Sequence, residues 1–488
     1  MRPVGMHEDA GFGIAFCVAI TRQVASRFKY RYVVPVLCQS PSNYCARQAC
    51  TSHTNFHLLS YSCCKKKPLL PGPRLTNVII MDTKNANFPS KRVLLTRRVR
   101  KRIAKSDAAR FLSVLRARLK GHEVRTWLLI SDGKAYTSEQ QFAPLIRHRQ
   151  RIASQTGVTF RFKDISGIDD LNTADLSGVD VIGIKLSFTT SPETVETLGR
   201  QLASLARNAK ACLVIFDGDD DLCVQWPSLI EESDIYLKKH RFSKDADYKL
   251  ARVGKSNLTD YAHRTYGVSF TDDIIPNSGP LTEAAISKIV LGWNIALDDK
   301  IVDLAEDIGD SAFTAKREID LLCRASVGSD VWTYGMREAP VRALNAMADR
   351  YSVLAPTDRV PQEEYYREIL SARLTVSPFG FGELCWRDFE AILCGSLLVK
   401  PDMSHVQTWP DIFVPHETYV PVSWDFSDLE EVCAPYLADE SKRLRLVEAA
   451  RVCLLDSLKP QSFLNQFVSL ENRVAAIQRS GGLTGGNT

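Results

Sequence analysis

No run of apolar residues in this 488-residue chain approaches the roughly 18 that a membrane-spanning helix needs. The longest early candidate, GFGIAFCVAI at 11–20, is about half of that. The sequence has no G-x-S-x-G and no G-x-x-x-x-G-K-[ST]. That removes the nucleophile-elbow and P-loop classes. GFGELC contains G-x-G, but Cys385 stands where a dinucleotide fingerprint wants its third glycine, and the motif comes late in the chain. No C-x-x-C pair occurs among the 13 cysteines, so a structural zinc site has little support. No repeat of 20–50 residues is visible either.

What remains is an ordinary globular composition, 45% hydrophobic and 24% charged, at a length for which two domains are the default. The net charge of +5 is unevenly spread. Residues 1–75 hold ten Lys or Arg against Glu8 and Asp9, which leaves the rest of the chain slightly acidic. The same leader holds Cys17, Cys38, Cys45, Cys50, Cys63 and Cys64. The other seven cysteines lie in apolar runs such as ACLVIF and IDLLCR and read as buried free thiols of a reducing compartment. Many Arg and Ser with few acids fit a transit peptide or an extension with no fold of its own, so 1–75 is set apart. A cytoplasmic location is expected, with an organellar or Golgi-associated one as the alternative.

Residues 91–120 carry twelve Lys or Arg and one acid, Asp107. Phe111, Leu112, Leu115 and Leu119 recur there at helical spacing. The plain reading is an amphipathic helix with a solvated basic face. The functional one is a patch for a phosphate-bearing acceptor or for peripheral contact with an anionic membrane surface. No aromatics interleave the charges, so no nucleic-acid partner is expected.

Strands then alternate with helical stretches. TWLLISD, VTFRFKDI, VDVIGIKLSF, KACLVIFDGDDD and DIYLKKH read as strands, with helices over Gln141–Gln155 and Pro192–Asn208 between them. That order predicts βαβ units and a parallel sheet, here a Rossmann-like domain over 76–275. A Pro- and Gly-bearing stretch with Pro276, Gly279, Pro280 and Gly292 reads as the crossing, 276–310. A second domain, 311–479, opens on KREIDLLCRAS, and GGLTGGNT is read as part of a flexible tail, 480–488.

One stretch organises the second half: SPFGFGELCWRDFEAILCGSLLVKPDMSH, Ser377–His405. LTVSP reads as a strand, Gly380 and Gly382 as a loop, the residues to Leu393 as a helix stopped by Cys394-Gly395, and SLLVKP as the next strand. A glycine loop opening a helix at a strand's carboxyl end makes an anion site. Spacings of four and three put Glu383, Arg387 and Glu390 near one helix face.

RDFEAILCGSLLV resembles the R-x-x-E-A-x-x-x-G-x-hydrophobic signature of the C-terminal domain of GT-B glycosyltransferases, including the group-one, spore-maturation-like and exostosin-like branches. The resemblance covers about residues 310 to 475. It implies an α/β fold of two Rossmann-like domains facing a cleft, with the N-terminal one holding the acceptor. It implies that Glu390 contacts the ribose of a nucleotide-diphosphate sugar and that Glu383 contacts the donor sugar. Many relatives keep the two acids eight apart; here they are seven apart. Arg324, Arg337, Arg342 and Arg387 are candidates to face the diphosphate, a role suited to a planar guanidinium. Gly380 and Gly382 would line it, and His405, after the next strand, is a further donor-binding candidate for a phosphate or the sugar, with packing near Trp409 as the plain alternative.

DGDDD, Asp217–Asp221, is the most acidic cluster and ends a strand. Asp219 is the candidate general base for the acceptor hydroxyl, with His240 the other choice; Glu383 is the second catalytic candidate. The expected activity is transfer of a hexosyl or related group from a nucleotide-diphosphate sugar to a hydroxyl of a glycan, lipid or protein. No cofactor or metal site is expected beyond the donor, and a divalent metal is not expected to be essential. The alternatives are a metal-dependent GT-A-like enzyme using DGDDD and a non-catalytic sugar- or nucleotide-binding protein.

Overall fold

The computed structural model describes residues 99–132, 140–167, 170–171, 173–270, 280–327 and 332–483. The leader with its six cysteines, the start of the basic stretch, Pro276, Gly279 and the last five residues lie outside the described residues. Both parallel sheets fall within one compact unit.

The expected α/β class, with two parallel sheets, is observed. In the first half the chain runs α1 (Asp107–Leu119), β1 (Arg125–Ser131), α2 (Ala143–Thr156), β2 (Val158–Asp164), β3 (Val181–Lys185), α3 (Pro192–Ala209), β4 (Cys212–Asp217), β5 (Ile235–Lys238), β6 (His240–Phe242), α4 (Asn257–Tyr266) and β7 (Ile289–Leu291). The sheet order is β2-β1-β3-β4-β5-β7, every pair parallel. Strands such as VIGIK and CLVIFD are buried along their whole length. They are apolar on both sides because helices cover both faces of a parallel sheet. Helix α3 shows the local logic. Ser191 caps it by accepting from Thr194 N, Pro192 fits the first turn, and Val195, Leu198, Leu202, Ala203 and Ala206 recur on the buried face.

The stretch read as the crossing, 276–310, also contributes to structure: β7 adds the last strand to the first sheet, and α5 (Asp299–Ile308) follows it. Then come β8 (Ile319–Leu322), α6 (Tyr334–Asn345), β9 (Val353–Leu354), α7 (Gln362–Ser371), β10 (Ala372–Val376), α8 (Trp386–Leu393), β11 (Leu397–Pro401), β12 (Val406–Thr408), β13 (Val420–Val422), α9 (Leu429–Ala438), α10 (Glu440–Leu458) and α11 (Pro460–Leu483). The second sheet is β13-β11-β10-β8-β9, again parallel. Asp428 precedes α9 as its cap residue.

Two features join the halves. β6 and β12 pair antiparallel, His240 opposite Thr408. Helix α11 returns to the first sheet, where Phe463, Phe467 and Leu470 join the cluster around Trp127 and Phe160. α11 continues to Leu483, past the start of the stretch read as a flexible tail. No helix among the described residues is long and apolar enough to cross a membrane. The seven cysteines outside the leader are free, and five of them are buried.

His148 on α2 packs against Phe463, ring centroids 5.3 Å apart. Burial, aided by Arg147 and Arg151, pushes it down to about 4. Between about pH 6.5 and 4 the unfolded chain therefore binds a proton that the fold refuses, so stability is full above that window and falls as pH drops through it. The loss approaches about 3 kcal/mol. Urea unfolding of His148→Leu at pH 7 and pH 4.5 is expected to show that limb flattened relative to wild type.

Candidate functional site

The central stretch folds as strand, loop, helix, strand, and its order follows from a few residues. Asp388 in the first turn of α8 accepts from Cys385 N at 2.8 Å, closing the helix start. Its other oxygen accepts from Ser377 Oγ at 2.6 Å, and the fully buried Lys400 on β11 pairs with it at 3.1 Å. Gly395 takes φ +70° after α8, and a Cβ there would meet Arg317 Nη2 at 2.6 Å.

The helix starts at Trp386, so Glu383 lies in the preceding loop and not on its face. The acid-base-acid face expected from spacing therefore does not form. Glu383 turns toward the first half of the molecule. It is 1% exposed and accepts from Asn257 Nδ2, the first residue of α4, at 2.7 Å. His405 Nε2 lies 3.4 Å from Oε1, and His240 Nε2 of β6 lies 3.6 Å from Oε2. Burial opposes the carboxylate's charge, but the two histidines outweigh it and hold Glu383 well below the usual carboxylate range. His240 moves down as well, because burial outweighs the pull of Glu383.

His240 Nε2 also faces Asp220 O at 3.2 Å. With acceptors on that side, Nε2 carries the proton and Nδ1 keeps the lone pair. His240 Nδ1, Glu383 Oε2 and Asn257 Oδ1 are buried and lack a hydrogen-bond partner. The loop closes over them through Gly382, where a Cβ would sit 2.1 Å from Asp220 O. His405 is not packed near Trp409. Its ring lies against Trp424 and Phe379, with centroids 5.0 and 6.3 Å away.

Glu390 is also buried, but among other partners. Oε2 accepts from Tyr365 at 2.8 Å, and Oε1 accepts from Tyr366 at 3.1 Å and meets Lys300 Nζ at 2.6 Å. Oε1 is filled by two partners, and Oε2, with one, keeps a lone pair for a further donor. Arg387 donates to Arg324 O at 2.8 Å. Arg324 itself is tied to Glu368 and Asp358. Arg337 differs: it donates to Ser326 O at 3.1 Å and lies over the Phe381 ring. It has no carboxylate within ion-pair distance among the described residues, and its Nη2 comes within 3.4 Å of a Cβ built on Gly380. Arg342 pairs with Glu338 at 3.8 Å and lines, with Arg350, Asp425 and Ser427, a groove of about 500 Å³ that none of the residues around Glu383 borders.

The DGDDD loop is built differently from the sequence expectation. β3, β4 and β5 end side by side on Lys185, Asp217 and Lys238. Lys238 holds Asp217 at 2.7 Å, Lys185 holds Asp219 at 3.0 Å, Lys239 holds Asp220 at 2.5 Å and Lys255 holds Asp221 at 2.9 Å. Both oxygens of Asp219 face Lys185 Nζ, at 3.0 Å each. Asp219 is thus a buried ion-pair partner of Lys185, which disfavours it as the base for an acceptor hydroxyl, against the expectation. Four carboxylates each facing an ammonium also make a poor cage for a dication, which would have to expel the lysines.

His240 and Asn257, in the first half, are the residues that sequence reasoning did not bring to Glu383. A histidine at the end of an apolar strand was the one available signal. Asn257 follows an ordinary helix cap and carries none.

No protein-family model matches the sequence, and no curated protein matches it. Among solved structures the chain is similar to Anabaena HepE in complex with UDP, at 9% identity and TM-score 0.40, covering 72% of this chain and all of that one. It is similar to sucrose-phosphate synthase from Thermosynechococcus elongatus at 13% identity and TM-score 0.36, covering 72% and 100%. It is also similar to α,α-trehalose 6-phosphate synthase from Burkholderia multivorans at 10% identity and TM-score 0.39, covering 75% and 99%.

Proposed function

We propose that this chain transfers a glycosyl group from a nucleotide-diphosphate sugar to an acceptor hydroxyl. The observation that carries the reading is the buried set of Glu383, His240 and Asn257. Each carries one buried polar atom without a hydrogen-bond partner, and the three residues come from both halves of the molecule. Buried polar groups in a native fold need partners. All three are acceptors, so each calls for a donor, which the several hydroxyls of a sugar can supply. The resemblance of RDFEAILCGSLLV to the GT-B signature supports the same class.

In this reading His240 Nδ1 takes the proton of the acceptor hydroxyl, Asp220 O fixes the ring by accepting from Nε2–H, and the Glu383 carboxylate, 3.6 Å from Nε2, favours the cation that forms. The acceptor oxygen forms a bond to the anomeric carbon as the bond from that carbon to the diphosphate oxygen breaks. The electron pair leaves with the diphosphate, whose charge Arg337 and the N-terminus of α8 stabilise. Substrates are admitted when the Gly380–Cys385 loop lifts from Asp220, and closure then excludes water. Glu390 acts through Lys300, Tyr365 and Tyr366 to hold α8 in place.

A thermal-shift panel of UDP, GDP, ADP and their sugars, with and without EDTA, tests the donor. At a hundred times Kd a specific nucleotide is expected to raise Tm by about 3 °C, unchanged by EDTA. Arg337→Ala is expected to remove most of that rise. A rise that requires metal and ignores Arg337 would move the site to DGDDD, and no rise with any nucleotide would sink the donor.

A further inference from the structure

Helix α1 faces the wrong way for an ordinary surface helix. Its buried residues are the small ones, Ser113 and Ala117. They seat it on α2, with Arg149 Nε on Ser113 Oγ at 3.4 Å and Gln150 Nε2 on Ala109 O at 3.0 Å. The large apolar residues point outward: Phe111 is 67% exposed and Leu119 76%, with Leu112 and Leu115 also exposed. At about 100° per residue these four span a stripe roughly 100° wide. Arg118 flanks one edge and Arg116 the other, both exposed. Val99 and Ile103, on the helical turns at 99–104, are exposed as well. Residues 99–120 hold eight Lys or Arg and one acid.

From this face we infer that the protein docks on an anionic lipid surface through α1, with the apolar stripe inserted among acyl chains and the rim of Arg and Lys on the headgroups. The stripe and the rim answer two different parts of one partner, apolar interior and negative surface. A second copy of the same face would oppose like charges. The leader does not fit either: residues 1–98 hold fifteen Lys or Arg against three acids, so their charge repels the rim. The inference does not depend on the glycosyl-transfer reading, since none of these residues lies near Glu383.

Flotation of the full chain with vesicles tests it, using phosphatidylcholine alone and phosphatidylcholine with a third phosphatidylserine. Wild type is expected to float with the anionic vesicles on the order of tenfold more than with the neutral ones, and less at 0.5 M salt. Phe111→Asp/Leu115→Asp/Leu119→Asp is expected to lose at least tenfold of that binding. These residues are exposed, so its Tm and gel-filtration volume should match wild type. Equal flotation of variant and wild type would assign binding to the basic leader and overturn the inference. So would failure of wild type to float, or self-association of wild type that the variant abolishes.

Discussion

Glu383→Gln is expected to lower turnover by about two to four orders of magnitude while Tm stays close to wild type. The substitution keeps the shape of the side chain and one oxygen for Asn257. It removes the charge that supports the protonated form of His240. Direction in pH separates this role from a structural one. In wild type, burial holds His240 below its ordinary value, so the acid limb of kcat/KM should lie below about pH 6.5. Glu383 raises His240 against that burial. Without the carboxylate the limb should move further toward acid. A merely structural Glu383 would leave the limb where it was and change Tm instead. His240→Ala is expected to cost a similar factor and to abolish the limb.

The second large effect is on stability. Lys238→Met is expected to destabilise the fold by about 3–5 kcal/mol, read as a lower urea midpoint at unchanged slope. Lys238 is buried, and its ammonium serves Asp217 at 2.7 Å, Asp221 O at 2.9 Å and Cys223 O at 2.9 Å. Burial presses the Asp217 carboxyl upward, yet the charge of Lys238 outweighs it and keeps the group below its ordinary value. Removing the lysine leaves a charged carboxylate in a dry site with Asp219 beside it. Asp217→Leu together with Lys238→Met should recover much of the loss, because no unpaired charge remains. A single variant as stable as wild type would mean that water reaches the strand ends.

The architecture was readable because its signals are local. VIGIK, CLVIFD and LLVKP are short apolar runs, Pro192 and Gly395 punctuate helices, and alternation of the two implies parallel sheets. The stretch around Ser377–His405 announced itself through glycines beside carboxylates. The site was less readable because its chemistry is a matter of pairing at long range. Glu383 meets Asn257 across 126 positions and His405 across 22. Periodicity assigned Glu383 to the helix face, but the Asp388–Cys385 cap starts the helix three residues later. DGDDD read as a general-base or metal site because its four lysines come from three other places in the chain, 185, 238–239 and 255. The stripe on α1 had the spacing of a core face, and only its packing on Ser113 and Ala117 reveals that it points away.

The central claim is tested most directly by mixing the purified chain with labelled nucleotide-diphosphate sugars and a panel of glycan, lipid and peptide acceptors, counting both released nucleotide and sugar joined to acceptor. Wild type is expected to release diphosphate in step with transfer from one nucleotide class. His240→Ala and Glu383→Gln should lose both signals while keeping the Tm rise with that nucleotide. Transfer that survives both substitutions, or nucleotide binding with no transfer by wild type to any acceptor, would contradict it.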